Sequence, residues 1–593
     1  MSSAASRLPS SPARPASARS ELATALASCR GVFVAIGVLS GLTNLLMLTG
    51  AIFMLEVYDR VLPSRSVPTL VGLAILAGGL YAAQGLVDLI RGRLLVRIGS
   101  ALDEDVSGRV FGAILRLPMK IARVGDGLQP LRDLDSVRSF LSGLGPIALF
   151  DLPWLPFYIA ICYLLHPWLG YTALGGAIIL IALTLLTEAL TQRPTKAAAS
   201  FASSRNELAQ TGHRNAEAIV AMGMMGRMLQ RWGEANRQYM AGQWAASDVV
   251  GGLGAVSKVL RMMLQSAMLG VGAFLVIRQE ATAGIIIAGS ILAARALAPV
   301  DLAIAHWKAF AACRQSWQRL NKLLALLPPQ QAPMLLPAPN DTLAAENASV
   351  CPPGSTKFVL QDTTFKLERG SALGVIGPTG SGKSSLARLL VGVWQPVRGK
   401  VRIDGCTFDQ WSSEVLGRHI GYLPQDVELL GGTVAQNIAR FDPEADPQAI
   451  VAAAKAAGVH ELITEFAEGY ETHVGERGET LSAGQAQRIA LARALYGDPF
   501  LVVLDEPNSN LDAAGDEALT KAILGVRARG GIVVVIAHRP SAIAGVDLLL
   551  VLKQGRPQAF GPKEEILSKV LQRDAPTPPR PLKVVSDKGS APS

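Results

Sequence analysis

GPTGSGKS, residues 377–384, fits the pattern G-x-x-x-x-G-K-[ST] and lies between an apolar run, LGVI (373–376), and a helix-forming run, SSLARLL (384–390). A strand, a glycine-rich turn and a helix are the setting in which this pattern binds phosphate. The glycines let the backbone wrap the anion, so that successive N–H groups and the helix N-terminus point at it. Lys383 then reaches the β and γ phosphates of a nucleotide, and Ser384 offers its hydroxyl to Mg²⁺. We therefore read Gly377, Pro378, Thr379, Gly380, Ser381, Gly382, Lys383, Ser384 and Ser385 as the nucleotide cradle.

Around this loop, short β-branched runs alternate with helical stretches: SALGVIG then SSLARLLVGV, FLVVLDE then a helix, and GIVVVIAH. That alternation predicts an α/β domain with a largely parallel sheet. FLVVLDEP (500–507) ends an apolar strand in two carboxylates. Asp505 is placed to hold Mg²⁺ through water, and Glu506 to polarise the attacking water. An acid pair ending a strand is common by itself, and the phosphate loop gives it meaning. His538 closes the strand GIVVVIAH and is placed to sense the γ phosphate.

Upstream the composition changes. Of 593 residues, half are apolar and 17% charged, and the mean hydropathy is +0.31, high for a chain wholly in water and expected of one partly in lipid. Six segments approach the length needed to cross a bilayer, centred on 32–55, 69–90, 144–165, 168–190, 249–277 and 282–300. Basic residues crowd the connectors after the second span (Arg91 to Arg138) and after the fourth (Arg193 to Arg237), while the opposite connectors carry few. Short basic loops stay cytoplasmic, so both ends of the six-span unit face the cytoplasm. The apolar residues Val106, Val110, Ile114 and Leu117 recur at helical spacing, which predicts spanning helices that run on into the cytoplasm.

The net charge of +9 thus follows from topology. With no basic helix, zinc spacing or RNA-binding motif, it does not require nucleic acid. The five cysteines show no CxxC and imply neither a disulfide framework nor a metal site. Asp151, Glu188, Lys258, Arg261 and Arg295 are ionisable residues within spans, where such groups tend to face a bundle interior or a water-filled cavity. Lys258 and Arg261, three apart on one helix face, either line a polar path or snorkel at the end of the fifth span. EVYDRVLPSRS, residues 56–66, is expected to be a short external loop, its charges solvated or paired with an external partner. The predicted organisation is a disordered tail (1–28), a transmembrane unit (29–325), a proline-rich linker (326–342), an ATP-binding domain (343–572) and a disordered tail (573–593).

In order along the chain, the phosphate loop, Gln425 in YLPQDVEL, LSAGQ (481–485), Asp505 with Glu506, SNLD (509–512) and His538 resemble the Walker A, Q-loop, signature, Walker B, D-loop and switch histidine of ABC-transporter ATPase domains. Six ordered motifs preceded by six spans resemble an exporter half-transporter over the whole chain. The fold class this implies is a multidomain membrane protein, with a six-helix transmembrane domain of ABC exporter type followed by an α/β P-loop ATPase. The resemblance implies a homodimer binding two ATP molecules with Mg²⁺, in which Ser482, Ala483, Gly484, Gln485 and Asp512 of one chain complete the site of the other. It further implies that Gln425 joins Ser384 and Asp505 at the metal and couples the nucleotide to the membrane helices, with Glu506, His538 and Gln425 in catalysis.

Two departures stand out. The signature has Ala483 where the family usually has glycine, a methyl that costs little if φ is negative there. Where an aromatic residue usually stacks on adenine, this chain has Val350 and Cys351, with Phe358 the nearest aromatic.

EVYDRVLPSRSVPTL, DEPNSNLD and LARALYGDP resemble type I secretion ABC transporters, in particular the alkaline protease and lipase exporter subgroup, which exports unfolded polypeptides bearing an uncleaved C-terminal signal. About 30 residues precede the first span, so no N-terminal peptidase-like domain is expected there. The resemblance implies a multi-pass protein of the bacterial inner membrane with cytoplasmic termini, a secreted polypeptide substrate, a periplasmic membrane fusion protein and a TolC-like outer-membrane channel. Two alternatives use the same motifs: an exporter of lipid or small hydrophobic molecules, and a nucleotide-gated membrane scaffold with little transport.

Overall fold

The computed structural model describes residues 20–121, 127–328, 336–475, 478, 480–537 and 539–573. The chain divides into two compact units, the first of residues 1–118 and 123–328 and the second of 119–122 and 329–593.

In the first unit, the short helix α1 (Glu21–Ser28) is capped by the Ser20 hydroxyl, which accepts from Ala23 N at 3.2 Å. The disordered tail expected over 1–28 is therefore corrected from residue 21 onward. Leu22 is fully buried, and an apolar side chain seated in a packed cluster outweighs the weak propensity of so short a helix. Next come α2 (Arg30–Leu46) and α3 (Thr49–Glu56), then the long α4 (Val67–Lys120), α5 (Gln129–Ser142), α6 (Gly145–Asp151) and α7 (Leu155–Leu165). The unit closes with α8 (Pro167–Arg214), α9 (Met225–Ile277) and α10 (Ala283–Leu326). Among the described residues, six helices or helix series are long and apolar enough to cross a membrane. Since α4, α8, α9 and α10 have 54, 48, 53 and 44 residues, each is far longer than the roughly 20 residues a bilayer requires, in agreement with the predicted extensions.

EVYDRVLPSRS is not the open connector expected. The helix continues from α3 through a π turn, Val57–Val61, and a last turn, Leu62–Ser64, ending only at Arg65 with φ 53°. A π turn widens the helix and redirects its side chains. Here it delivers Asp59 to the start of α10, where the carboxylate accepts from Thr282 Oγ1 at 2.6 Å and from Gly284 N at 2.9 Å. Carboxylates are favoured at a helix N-terminus. Asp59 thus ties the segment after α3 to the start of α10 instead of facing only water.

Inside the unit, Asp151 accepts from Ser40 Oγ (2.7 Å), Asn44 Nδ2 (3.0 Å) and Arg91 Nη1 (3.0 Å). Arg91 also reaches Asp88 at 3.0 Å, and the Tyr158 hydroxyl donates to Asn44 O at 2.8 Å. A charge removed from water survives only when paired and hydrogen-bonded. This cluster supplies both, across α2, α4, α6 and α7.

The second unit contains two sheets. One is antiparallel, in the order β2 (Leu360–Glu368), β1 (Thr342–Val350), β4 (Arg398–Ile403), β5 (Cys406–Thr407). The other runs β10 (Arg556–Pro562), β9 (Leu548–Lys553), β3 (Ala372–Ile376), β8 (Ile532–Ile536), β7 (Leu501–Asp505), β6 (Ile420–Leu423). Its pairs from β9 to β6 are parallel, and β10 is antiparallel to β9. All five residues of β7 and of β8 are buried, which is why these strands read as unbroken apolar runs. The helices that bear on the site are α11 (Lys383–Leu390), α12 (Ala483–Leu495) and α13 (Ala513–Ala528).

Candidate functional site

Parallel register brings the ends of β3, β6, β7 and β8 to one edge of the sheet, the edge where open α/β sheets bind ligands. After β3 the chain turns through residues 377–382 into α11. Gly382, at φ 96°, precedes the helix, and a Cβ there would lie 2.6 Å from Val359 O, so the turn admits glycine alone. Pro378, Thr379 and Gly380 are exposed at the mouth of the loop, whereas Ser381 and Lys383 are buried.

Lys383 folds back onto its own loop, its Nζ donating to Gly377 O at 2.9 Å and Pro378 O at 3.0 Å. Burial holds its pKa below the usual lysine value, and the carboxylates of Glu506 and Asp505 pull it back up. Phosphate oxygens entering the loop would take over the role of those two carbonyls. The Ser384 hydroxyl donates to Asp505 Oδ1 at 3.2 Å. Asp505 is 1% exposed, and among the described residues its Oδ2 has no hydrogen-bond partner. Burial raises its pKa, the Ser384 hydrogen bond lowers it, and neighbouring Glu506 raises it again. A buried carboxylate oxygen without a partner beside a serine hydroxyl is a hard-oxygen donor set that fits Mg²⁺.

Glu506 follows at φ 52°, a conformation that non-glycine residues seldom adopt and that concentrates at functional sites. Its N–H donates to Ile536 O at 3.0 Å, fixing the turn against β8. Gln425 is exposed two residues beyond Leu423, which pairs with Leu504, so it leaves the sheet at the same edge as Asp505. His538 lies outside the described residues. Ala537 before it donates to Val375 O at 3.2 Å.

LSAGQ begins a helix. Ser482 caps α12, its hydroxyl accepting from Gln485 N at 3.3 Å while its N–H donates to Gln485 Oε1 at 2.9 Å, a reciprocal capping box. Ala483 is the first helical residue and its φ is not positive, so the alanine is accommodated without strain. Gly484 is different, because a Cβ there would sit 2.9 Å from Asn510 O. Asp512 caps α13, accepting from Gly515 N at 2.8 Å, and pairs with Arg488. No hydrogen bond joins this group to the phosphate loop among the described residues.

One residue escaped the sequence reading. Gln487, 2% exposed, donates to Pro507 O at 2.6 Å, to Glu506 O at 3.3 Å and to Ser509 Oγ at 3.3 Å, and accepts from Asn510 N at 3.0 Å. It fastens the signature helix to the segment that follows β7. The available signal was its spacing: Gln487 falls three and four residues before the buried Ala490 and Leu491, a polar residue on an apolar helix face.

Of the ionisable residues flagged within spans, Asp151 lies in the buried cluster and Arg261 pairs with Asp301. Lys258 and Arg295 are exposed and Glu188 is half-buried.

A nucleotide-phosphate cradle with a paired acid, carried on one chain with six helices able to span a membrane, is the plan of an ATP-driven membrane transporter. The ABC transporter profile matches residues 360–509, and that of the ABC transporter transmembrane region matches 33–299. The type I secretion system ATP-binding protein PrsD of Rhizobium meliloti (strain 1021) is 58% identical over 95% of this chain and 97% of its own length. The α-hemolysin translocation ATP-binding protein HlyB of Escherichia coli is 28% identical over 92% of this chain and 77% of its own. A bacterial Atm1-family ABC exporter with ATP bound shares the fold, with a TM-score of 0.78 and 23% identity over 93% of this chain and all of that one. The chain belongs to the ABC transporter family, among the type I secretion ATP-binding proteins.

Proposed function

We propose that the chain is an ATP-hydrolysing exporter of unfolded polypeptides, seated in the bacterial inner membrane with both termini cytoplasmic and working as a homodimer. The observation that carries this reading is the 58% identity to a type I secretion ATP-binding protein across both units. In this reading ATP enters the loop at 377–385, and the Lys383 ammonium moves from the Gly377 and Pro378 carbonyls to phosphate oxygens. Glu506 accepts a hydrogen bond from the attacking water and draws its proton, and His538 contacts the γ phosphate. Ser384, Asp505 and Gln425 would hold Mg²⁺, which when bound offsets charge on the β and γ phosphates.

Ser482, Ala483, Gly484, Gln485 and Asp512 of a second copy close the site, and Gln425 relays closure to the membrane helices. The passenger carries a C-terminal signal and passes to a periplasmic membrane fusion protein and a TolC-like channel. ATPase assays on the full-length protein in nanodiscs test the chemistry. Lys383→Ala and Glu506→Gln should each lower turnover at least about 100-fold, with Glu506→Gln still binding ATP. Turnover within a few-fold of the parent in Glu506→Gln removes Glu506 from the proposed role.

A further inference from the structure

The signature helix α12 is held at both ends. Gln487 fastens its first turns to the segment after β7, and an arginine from elsewhere in the chain fastens its last turn. The short helix Val434–Ile438 is followed by two successive residues with left-handed backbone, Arg440 at φ 56° and Phe441 at φ 58°. Residues other than glycine seldom adopt that backbone, and they persist in it where the surrounding structure fixes them. Arg440 is fixed through its guanidinium. Its Nε donates to Arg493 O at 3.0 Å and its Nη2 to Ala494 O at 3.3 Å, both in the last turn of α12. Its Nη1 donates to Gly417 O at 2.8 Å and to Ile420 O at 3.1 Å, at the entry to β6.

The carbonyls of a helix's last turn lack partners within the helix, and a cation placed there meets the negative end of the helix dipole. One half-buried guanidinium therefore caps α12 and joins it to β6. The approach is close: a Cβ on Gly421 would lie 2.0 Å from Ala494 O, so strand and helix end meet backbone to backbone. Arg493 extends the joint, its Nη1 donating to Glu428 O at 3.2 Å, three residues beyond Gln425. Asn437, fully buried, holds the far end of that segment, accepting from Leu430 N at 2.9 Å and donating to Leu430 O at 2.8 Å. Because α12 has 13 residues, Ser482 and this joint stand about 20 Å apart on one helix.

We infer that Arg440 and Arg493 are positioning residues that couple two ATP sites, carrying the seating of Ser482 against one nucleotide along α12 to Gln425, which stands at the other. This rests on the homodimer reading, in which a chain's signature closes its partner's site while its Gln425 serves its own, and it adds the route between them. Binding at one site then favours binding at the other, and hydrolysis rises cooperatively with MgATP. The test follows steady-state ATPase of the full-length protein in nanodiscs across MgATP concentrations, with the chains in each particle counted by mass photometry. The parent should give a Hill coefficient of about 1.5 or more, below the limit set by the number of coupled sites.

Arg440→Gln and Arg493→Gln should each bring the coefficient to about 1 and keep turnover at saturating MgATP within about tenfold of the parent. Arg440→Lys, which retains a cation at the end of α12, should regain part of the coefficient. A variant that only loosens the fold lowers the rate at every MgATP concentration and leaves the shape of the curve unchanged, so the coefficient separates a coupling joint from a merely structural contact. Where Arg440→Gln fails to fold, Arg493→Gln decides, because it leaves the Arg440 guanidinium and its carbonyl partners in place. If the parent is a dimer with a hyperbolic curve, or if a folded variant of either arginine keeps the parent's coefficient, the coupling is overturned while the homodimer reading stands. If the parent hydrolyses ATP as single chains, the homodimer reading falls, and this inference with it.

Discussion

Ala483 and Gly484 differ by one methyl and sit side by side, yet the backbone treats them differently. Ala483 opens a helix with ordinary φ, whereas a Cβ at 484 would press on Asn510 O at 2.9 Å. Ala483→Gly should leave ATPase turnover within about twofold, because a first-turn residue loses little helix propensity. Gly484→Ala should lower it by tenfold or more, since relieving the clash displaces the segment that Gln487 fastens. Steady-state ATPase on both variants checks the contrast.

Asp505 gives a prediction of opposite sign for stability and activity. Burial raises its pKa, so its contribution to stability is present below the ordinary carboxylate range and is lost as pH rises through the raised value. Asp505→Asn should therefore raise the thermal midpoint of the nucleotide-free protein at pH 7, an advantage that shrinks toward pH 4, and should abolish Mg²⁺-dependent hydrolysis. Thermal scans at the two pH values read the first effect and phosphate release the second. The sequence displayed Lys383, Ser384, Asp505 and Glu506 plainly, because phosphate chemistry fixes both their types and their spacing. Gln487 stayed hidden because a polar residue on a helix can face solvent or core, and only the packing of β7 and its turn decides which. The φ of Ala483 was equally invisible, as no residue type encodes it.

Among the elements, helices and strands were legible wherever one period ran long. The 44 to 54 residue helices followed from apolar length and spacing, and β7 and β8 from unbroken β-branched runs. The segment 56–66 misled because proline and four charges signal a loop, while the π turn and the Asp59 cap that keep it helical depend on α10, more than 200 residues away. The buried pair of Arg91 and Asp151, with half-buried Asp88 at its edge, was half legible: Asp151 stood out as a charge within a span, and its partner Arg91 was read as a cytoplasmic loop residue. Arg91 and Asp151 have side chains 6% and 9% exposed, so Arg91→Met leaves a buried carboxylate with its countercharge removed. That should cost about 3 kcal/mol or more, read as a lowered thermal midpoint of the purified protein. The double variant Arg91→Met with Asp151→Leu should recover much of the loss. Equal damage in the single and double variants would show that the pair is not coupled.

For the molecule as a whole, the account joins an ATPase whose acid pair and phosphate loop are in place to six helices or helix series that, among the described residues, are long and apolar enough to span a membrane. The order of the motifs alone was enough to read this plan, because each motif is chemically distinctive and their sequence along the chain is restrictive. The cargo was legible only through resemblance, since neither the hydropathy of a span nor the geometry of a phosphate site names what is moved. The most direct test of export is transport itself. Full-length protein reconstituted in vesicles with its ATPase units outward would be given an unfolded polypeptide carrying a C-terminal signal, and protease-protected polypeptide inside the vesicles would be measured with and without Mg²⁺-ATP. The account predicts protection that requires ATP hydrolysis and disappears with Lys383→Ala. Protection equal with and without ATP, or no protection from vesicles that move a labelled lipid in an ATP-dependent way, would contradict it.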